Sequence, residues 1–375
     1  MSARMGGAPL RVLVLGNHPG SGWSMVRYSH LLQSGYTEAG EAVRMIQPST
    51  TISSRVRSGA LRKLLAYVEN LVVFPLVAIG AARDADLIHV ADHSNALWLL
   101  GPLGRRPAVV TCHDLVAVRA AAGEIPGVAI RATGRLYQRA VAAGLRRATV
   151  IACVSEATAA DVRRIVRPDG VRVLVNPVAP DLLPNPDGLE PERRPAALVV
   201  STVGYRKRRE HAVRIWQRMR GEGGLDRLAL RIVGPGLTGE EAALLAPDEA
   251  GEVEVLSDID DATLACEYAS AAMVIQASLY EGFGWPILEG NVHGTPALCA
   301  DIPVFREVAG AAGTFVGEDL DAVDWPAIVA SVTADDAMAR AAANVQRFSW
   351  EDFTEGLRGL AESVVSVHDA EPDLI

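Results

Sequence analysis

The stretch MVIQASLYEGFGWPILEG, residues 273–290, decides how the chain is read. Met273–Gln276 is a short apolar run of the kind that forms a buried strand. Gly282 and Gly284 follow, and then Pro286, a residue suited to the first turn of a helix. Strand, glycine loop and helix, in that order, are what an anion site needs. The glycines let backbone approach a ligand closely, and the N–H groups of the helix start face the loop and can bind phosphate. Two carboxylates bracket the loop, Glu281 before it and Glu289 near the end of the first helical turn. A carboxylate beside phosphate repels it, so the pair suits sugar hydroxyls, one on each side of the phosphates. For Glu289 the plainer alternative is an acid that complements the helix dipole.

Outward from this stretch, short Val- and Ile-rich runs alternate with helical segments, the pattern of parallel α/β sheets. Strands are expected at Arg11–Leu15, Leu87–Val90, Ala108–Thr111, Val150–Val154 and Val171–Val175, with a helix over Ala132–Ala148 whose Leu136, Ala140 and Ala143 share a face. The segment NPVAPDLLPNPDGLEPERRP, Asn176–Pro195, holds six prolines and interrupts the pattern. Strands then resume at Ala197–Val203, Leu228–Val233, Val253–Leu256, Met273–Gln276, Pro296–Ala300 and Gly313–Val316. This predicts a first doubly wound domain over 1–178, a linker over 179–195 and a second domain over 196–345, with ligands binding at the carboxyl ends of the strands.

The 375 residues carry 36 Lys and Arg against 45 Asp and Glu, a formal charge of −9, which argues against a nucleic-acid partner and makes any basic site local. Cys112, Cys153, Cys266 and Cys299 form no C-x-x-C pair, so neither a disulfide framework nor a structural zinc site is expected. The apolar run at Val12–Leu15 is shorter than the roughly seven residues a secretory core needs, and a cytoplasmic enzyme is expected. The longest uncharged run, Asn70–Ala82, contains Pro75 and falls short of the roughly 18 residues of a spanning helix. With Arg55, Arg57, Arg62 and Lys63 before it, it reads first as a buried helix with a solvated basic start, and alternatively as a helix resting on anionic lipid at the inner membrane face.

A second signal is Val203-Gly204-Tyr205-Arg206-Lys207-Arg208-Arg209-Glu210, four cations at the carboxyl end of a strand. A charge run is commonly a solvated face, but after a strand and a glycine it suits a diphosphate, whose leaving-group charge needs cationic partners. In the first domain, Gly16-Asn17-His18-Pro19-Gly20-Ser21-Gly22 follows the first strand without making G-x-G-x-x-G or a P-loop, which removes the main support for a nicotinamide or simple triphosphate site. His113, in VTCHDL, and Asp92 and His93, in ADHS, stand at strand ends, with Ser94 as a helix cap in the plainer reading of the latter.

The segment SLYEGFGWPILEGNVHGTPALCADIPVFREVAG, with its E-x7-E pair, is similar to the donor-binding signature of glycosyltransferase family 4, retaining enzymes that use nucleotide sugars. YRKR resembles the family's phosphate motif, LALRIVGPG its strand and turn near the base, TCHD its T-x-H-D segment, VSEAT the segment before the linker, and FSW the start of its closing helix. The resemblance implies a GT-B fold, α/β, with two Rossmann-like doubly wound domains facing across a cleft and the last helix, 350–365, packed back on the first. It implies that Glu289 holds the ribose and Glu281 touches the transferred sugar, with Gly282, Phe283, Gly284 and Trp285 along sugar and diphosphate. By the same resemblance Lys207 and Arg208, with Arg206, meet the diphosphate, and Gly20 and Gly22 close over it. His113 lies by the transferred sugar and positions a hydroxyl, while Asp92, His93 and Asp114 contact the acceptor.

The implied reaction moves a sugar from a nucleotide-diphosphate sugar to a hydroxyl of a glycan, glycolipid or small glycoside. No cofactor and no metal are expected, because the basic run meets the charge. A phosphorylase or epimerase on the same fold, and a non-catalytic nucleotide-sugar-binding protein, are the alternatives. The base, sugar, acceptor and oligomeric state are not readable from the residues.

Overall fold

The computed structural model describes residues 8–56, 59–178 and 192–370. The chain divides into two compact units, Met1–Asn176 with Trp350–Ile375, and Pro177–Ser349. Most of the proline-rich linker, including 179–191, lies outside the described residues, as does Arg57.

The first unit is built on a six-stranded sheet in the order β2-β1-β3-β4-β5-β6. Its strands are β1 (Arg11–Leu15), β2 (Ala42–Ile46), β3 (Leu87–Val90), β4 (Ala108–Cys112), β5 (Val150–Cys153) and β6 (Val171–Val173). All pairings are parallel. Every residue of β3, β4 and β5 is buried, which is why these strands read as unbroken apolar runs. The order reverses beside β1, so the loops after β1 and β3 leave in opposite directions and open a crevice between them.

The second unit repeats the plan in the order β12-β11-β10-β7-β8-β9, again all parallel. Here the strands are β7 (Ala196–Val200), β8 (Ala229–Val233), β9 (Val253–Leu256), β10 (Met273–Gln276), β11 (Ala297–Ala300) and β12 (Gly313–Val316). The reversal falls between β7 and β10, so the loop carrying the basic run and the loop carrying Glu281 start side by side.

The helix Trp350–Ala370 belongs to the first unit and runs past the expected end at Val365. It lies on the helix Trp23–Glu38, where a Cβ on Gly35 would stand 2.6 Å from a Leu357 methyl. Arg358 donates to the Ala39 carbonyl, and the Trp350 indole N–H donates to Glu38 at 2.6 Å.

Several expectations need correction. The edge strand β2 is absent from the set read from sequence, because its AVRMI pattern is only half-buried. In the helix Ala132–Leu145 the buried residues are Val141, Ala142, Gly144 and Leu145, while Leu136 is 68% exposed and Ala140 and Ala143 are half-buried, so Leu136 does not lie on the packed face. The segment Gly59–Asp84 is one helical stretch of 26 residues, longer than the uncharged run within it, and by length and composition it is apolar enough to cross a membrane. Nor is it a buried helix. Its inner side places Phe74, Ala78 and Ala82 in the core, but Leu64, Tyr67 and Leu76 are each at least 60% exposed.

His89 on β3 is fully buried, with Nδ1 2.9 Å from the Tyr36 hydroxyl and Nε2 2.8 Å from the Thr111 hydroxyl. Burial, reinforced by nearby His113, depresses its pKa to about 3. The unfolded chain therefore binds a proton that the folded chain refuses, and the stabilisation is complete above the ordinary histidine value near 6.5. Stability should fall as pH drops from about 6.5 towards 3, and His89→Gln should flatten that part of the profile. Urea midpoints measured across this range check it; an unchanged slope in the variant would exclude His89 as the source.

Candidate active site

In the second unit the β7 and β10 loops are joined by a backbone hydrogen bond, Leu279 N–H to the Arg206 carbonyl at 2.8 Å. That bond brings the basic run onto Glu281. Arg206 donates to Glu281 Oε2 at 3.0 Å and to the Tyr280 carbonyl at 3.3 Å, while Lys207 Nζ donates to Oε1. Ser278 also donates to Oε1, at 2.9 Å. Two cations and one carboxylate leave this cluster one positive charge in excess, beside the start of the helix Trp285–Val292 with its positive dipole end. The sequence reading has Glu281 touching a sugar; in the structure its oxygens hold Arg206, Lys207 and Ser278.

The four cations do not act together. Arg208 adopts φ +49° at the cap of the helix Arg209–Gly221, and this left-handed residue turns the chain. Its guanidinium donates to Glu318 at 2.6 Å and lies 3.1 Å from His211 Nδ1, so Arg208 parts from Lys207. Burial first, and Arg208 second, depress the His211 pKa to about 4. Arg209 is buried and donates to Glu241 at 2.8 Å, to the Pro235 carbonyl at 2.7 Å and to the Gly236 carbonyl at 3.3 Å. It thereby fixes the turn after β8. Gly234 in that turn has φ +147°, and a Cβ there would lie 2.2 Å from the Ser201 carbonyl oxygen.

Glu289 is buried in the next helix and accepts from the Tyr268 hydroxyl at 2.7 Å. Gly284 begins that helix with φ +101°, and a Cβ would press on the Phe305 ring at 2.8 Å, so this position needs glycine. Trp285 is the first helical residue and Pro286 the second. The Phe283 ring turns inward, 4% exposed, against Trp285 and Phe348, so only backbone at this position can meet a ligand. Gly290 and Asn291 in the helix interior are explained by packing. A Cβ on Gly290 would stand 2.7 Å from Val274, and Asn291 bonds the Thr295 carbonyl and Asn344.

In the first unit, the loops after β1 and β3 are joined by Asn95 donating to Asn17 at 2.8 Å. Asn17 in turn donates its side-chain amide to the Met25 carbonyl and its backbone N–H to Ser29 Oγ. His113 follows β4 and is buried, its Nε2 3.0 Å from the Ala91 carbonyl and its ring edge-on to Tyr28 at 4.5 Å. A carbonyl only accepts, so Nε2 carries the hydrogen and Nδ1 keeps the lone pair. Burial lowers the His113 pKa, which favours the neutral ring. Ser155 caps the helix Glu156–Ile165, and Thr158 at its first turn donates to the His113 carbonyl at 3.2 Å, so the VSEAT segment steadies this histidine.

Asp92, not Ser94, caps the turn that follows β3, accepting from Ser94 N–H at 2.8 Å, with His93 Nδ1 3.2 Å from the same oxygen. Asp114 accepts from Val116 N–H at 3.0 Å, just before the next helix, Val116–Ala121, whose cap position is Leu115. Gly20 N–H donates to His18 Nδ1 at 2.9 Å, and Gly22 caps the helix Trp23–Glu38; both glycines are exposed. Asn95, Ser278, Tyr268 and Glu241 are contributors the sequence reading did not name, and it gave Asn17 and Arg209 no role of their own.

Residues 30–182 match the model of Glycosyltransferase Family 4, and residues 185–347 match that of Glycosyl transferases group 1. The chain belongs to glycosyltransferase family 4. This family 4 glycosyltransferase is 37% identical over 109 residues to O-antigen chain mannosyltransferase B of Escherichia coli, a match covering 28% of each chain. Among solved structures, sucrose-phosphate synthase from Thermosynechococcus elongatus superposes with a TM-score of 0.72 at 19% identity, covering 96% of this chain and all of that one. Anabaena HepE in complex with UDP and glucose gives 0.66 at 15% identity, covering 94% and 100%. These likenesses give the fold, which is GT-B.

Arg209 and Glu241 are a buried pair, so removing one partner strands the other. Arg209→Ala should cost about 3–5 kcal/mol, and a double-mutant cycle with Glu241→Ala should give a coupling above about 1 kcal/mol. Denaturant midpoints measure both, and additive single effects would show the pair to be uncoupled.

Proposed function

We propose that this glycosyltransferase moves mannose, with retention, from a nucleotide-diphosphate mannose to a hydroxyl of a glycan or glycolipid, without a divalent metal. The observation that carries the donor assignment is the convergence of Arg206 and Lys207 on Glu281 at the reversal between β7 and β10. Glu281 aims both cations and keeps them ordered before the diphosphate arrives, so less order has to be imposed on binding. The bond from anomeric carbon to phosphate oxygen breaks, the acceptor oxygen bonds that carbon from the same face, and the departing phosphate oxygen takes the acceptor's proton. Arg206, Lys207 and the helix start stabilise the charge that develops on the diphosphate.

Assigning that charge to the cations rests on the placement of Arg206 and Lys207 at the reversal of strand order. Mannose is supported by the O-antigen mannosyltransferase relative. Glu289, held by Tyr268, supplies the carboxylate for the ribose, and neutral His113 offers the Nδ1 lone pair to a sugar or acceptor hydroxyl.

Thermal shift and sugar release with a panel of UDP-, GDP-, ADP- and dTDP-sugars in EDTA test the reading. One mannose nucleotide should stabilise the protein and be turned over in EDTA. Glu289→Ala should weaken that nucleotide by about 1–3 kcal/mol. A need for added magnesium would refute metal-free transfer; a requirement for free phosphate would indicate a phosphorylase; binding without turnover on any acceptor would indicate a binding protein.

A further inference from the structure

The helical stretch Gly59–Asp84 of the first unit has an outer face that the folded unit leaves uncovered. Leu61, Leu64, Val68, Val72 and Leu76 follow one another at steps of three or four and are 41–65% exposed. A straight α-helix would let such a row drift around the axis. The widened turn at Glu69–Val73, of the π type, takes up the extra residue and keeps the row on one side. An apolar strip of this length on a soluble surface marks a contact site.

The opposite side is fastened to the unit. Glu69 accepts from the Ile52 and Ser53 N–H groups at 2.6 and 3.1 Å, the Trp98 indole donates to the Asn70 carbonyl at 2.9 Å, and Phe74 packs on Trp98 with ring centres 4.6 Å apart. These bonds grip the middle of the stretch. A helix whose middle is held against a folded unit by a buried carboxylate does not span hydrocarbon, so the strip can only lie along an apolar boundary.

Charge identifies the boundary. Arg62 and Lys63 are exposed beside the strip at its start, and neither has an ion pair among the described residues. Tyr67 acts electrostatically on the Tyr137 hydroxyl, so the helix Ala132–Leu145 comes near the stretch at that point. That helix exposes Arg135 and Arg139, four residues apart, next to the exposed Leu136. In a chain of net charge −9, these cations, none of them in an ion pair among the described residues, complement a surface that is apolar below and anionic above.

We propose that this face docks the protein on the surface of an anionic lipid bilayer, with the strip lying in the plane of the headgroups. The proposal stands apart from the donor reading and needs no knowledge of the acceptor.

Flotation of the full chain with vesicles of phosphatidylcholine, alone or with about one-third phosphatidylglycerol, tests it. The protein should float with the anionic vesicles, and Leu64→Glu with Leu76→Glu should lower the partition coefficient by about tenfold or more. Reversing Arg62 and Lys63 to Glu should lower it by about fivefold per residue, with the loss shrinking at high salt. All four positions are exposed, so each variant should keep its unfolding midpoint and its nucleotide-sugar thermal shift, and a failure of the donor reading would appear only in the latter. Absence of flotation, equal flotation on neutral vesicles, or flotation unchanged by the Glu substitutions would overturn the proposal. So would self-association in sedimentation that Leu76→Glu abolishes without any vesicle binding, which would assign the strip to a second copy of the chain.

Discussion

The second unit's site rests on one carboxylate that holds two cations at a reversal of strand order. Parallel strands β7 and β10 are neighbours although 72 residues of chain separate Val200 from Met273, counting the residues between them. Their outgoing loops therefore begin within hydrogen-bonding reach, and the Leu279–Arg206 bond closes the gap. Everything else at this end of the sheet follows. Glu281 is largely shielded from water, so its attraction for Arg206 and Lys207 is less screened than that of a surface pair. Both long side chains are held where a free lysine or arginine would sample many rotamers.

Much of the architecture was legible because buried parallel strands have to be apolar along their whole length. β1, β3, β9, β10 and β12 begin and end where the residues say they do. β2 escaped because an edge strand shows one face to water and loses the continuous signal. The helix Ala132–Leu145 misled for a related reason. Its small residues Ala142 and Gly144 are what pack closely, Gly144 against the Ala96 backbone, while the large Leu136 points outward. Size and spacing alone grouped Leu136 with the half-buried Ala140 and Ala143.

The site was legible in its parts and not in its wiring. Residue type and position after a strand picked out Glu281, Glu289, His113 and the basic run. The run itself looks like four equivalent cations, yet the positive φ of Arg208 sends successive side chains to Glu281, Glu318 and Glu241. Each destination lies 32 to 110 residues away in sequence, so no local pattern announces it. Asn17 and Asn95 are hidden in the same way, being ordinary loop residues until the sheet order places them together.

The return of Trp350–Ala370 to the first unit fixes an order of events during synthesis. Gly35 and its neighbours on the helix Trp23–Glu38 wait for Phe353 and Leu357 while the whole of Pro177–Ser349 is being made. The second unit is continuous in the chain and can fold as soon as its own residues emerge. The first unit, although it is translated first, is the last to be completed, and until then it presents to chaperones the apolar groove that its closing helix will fill.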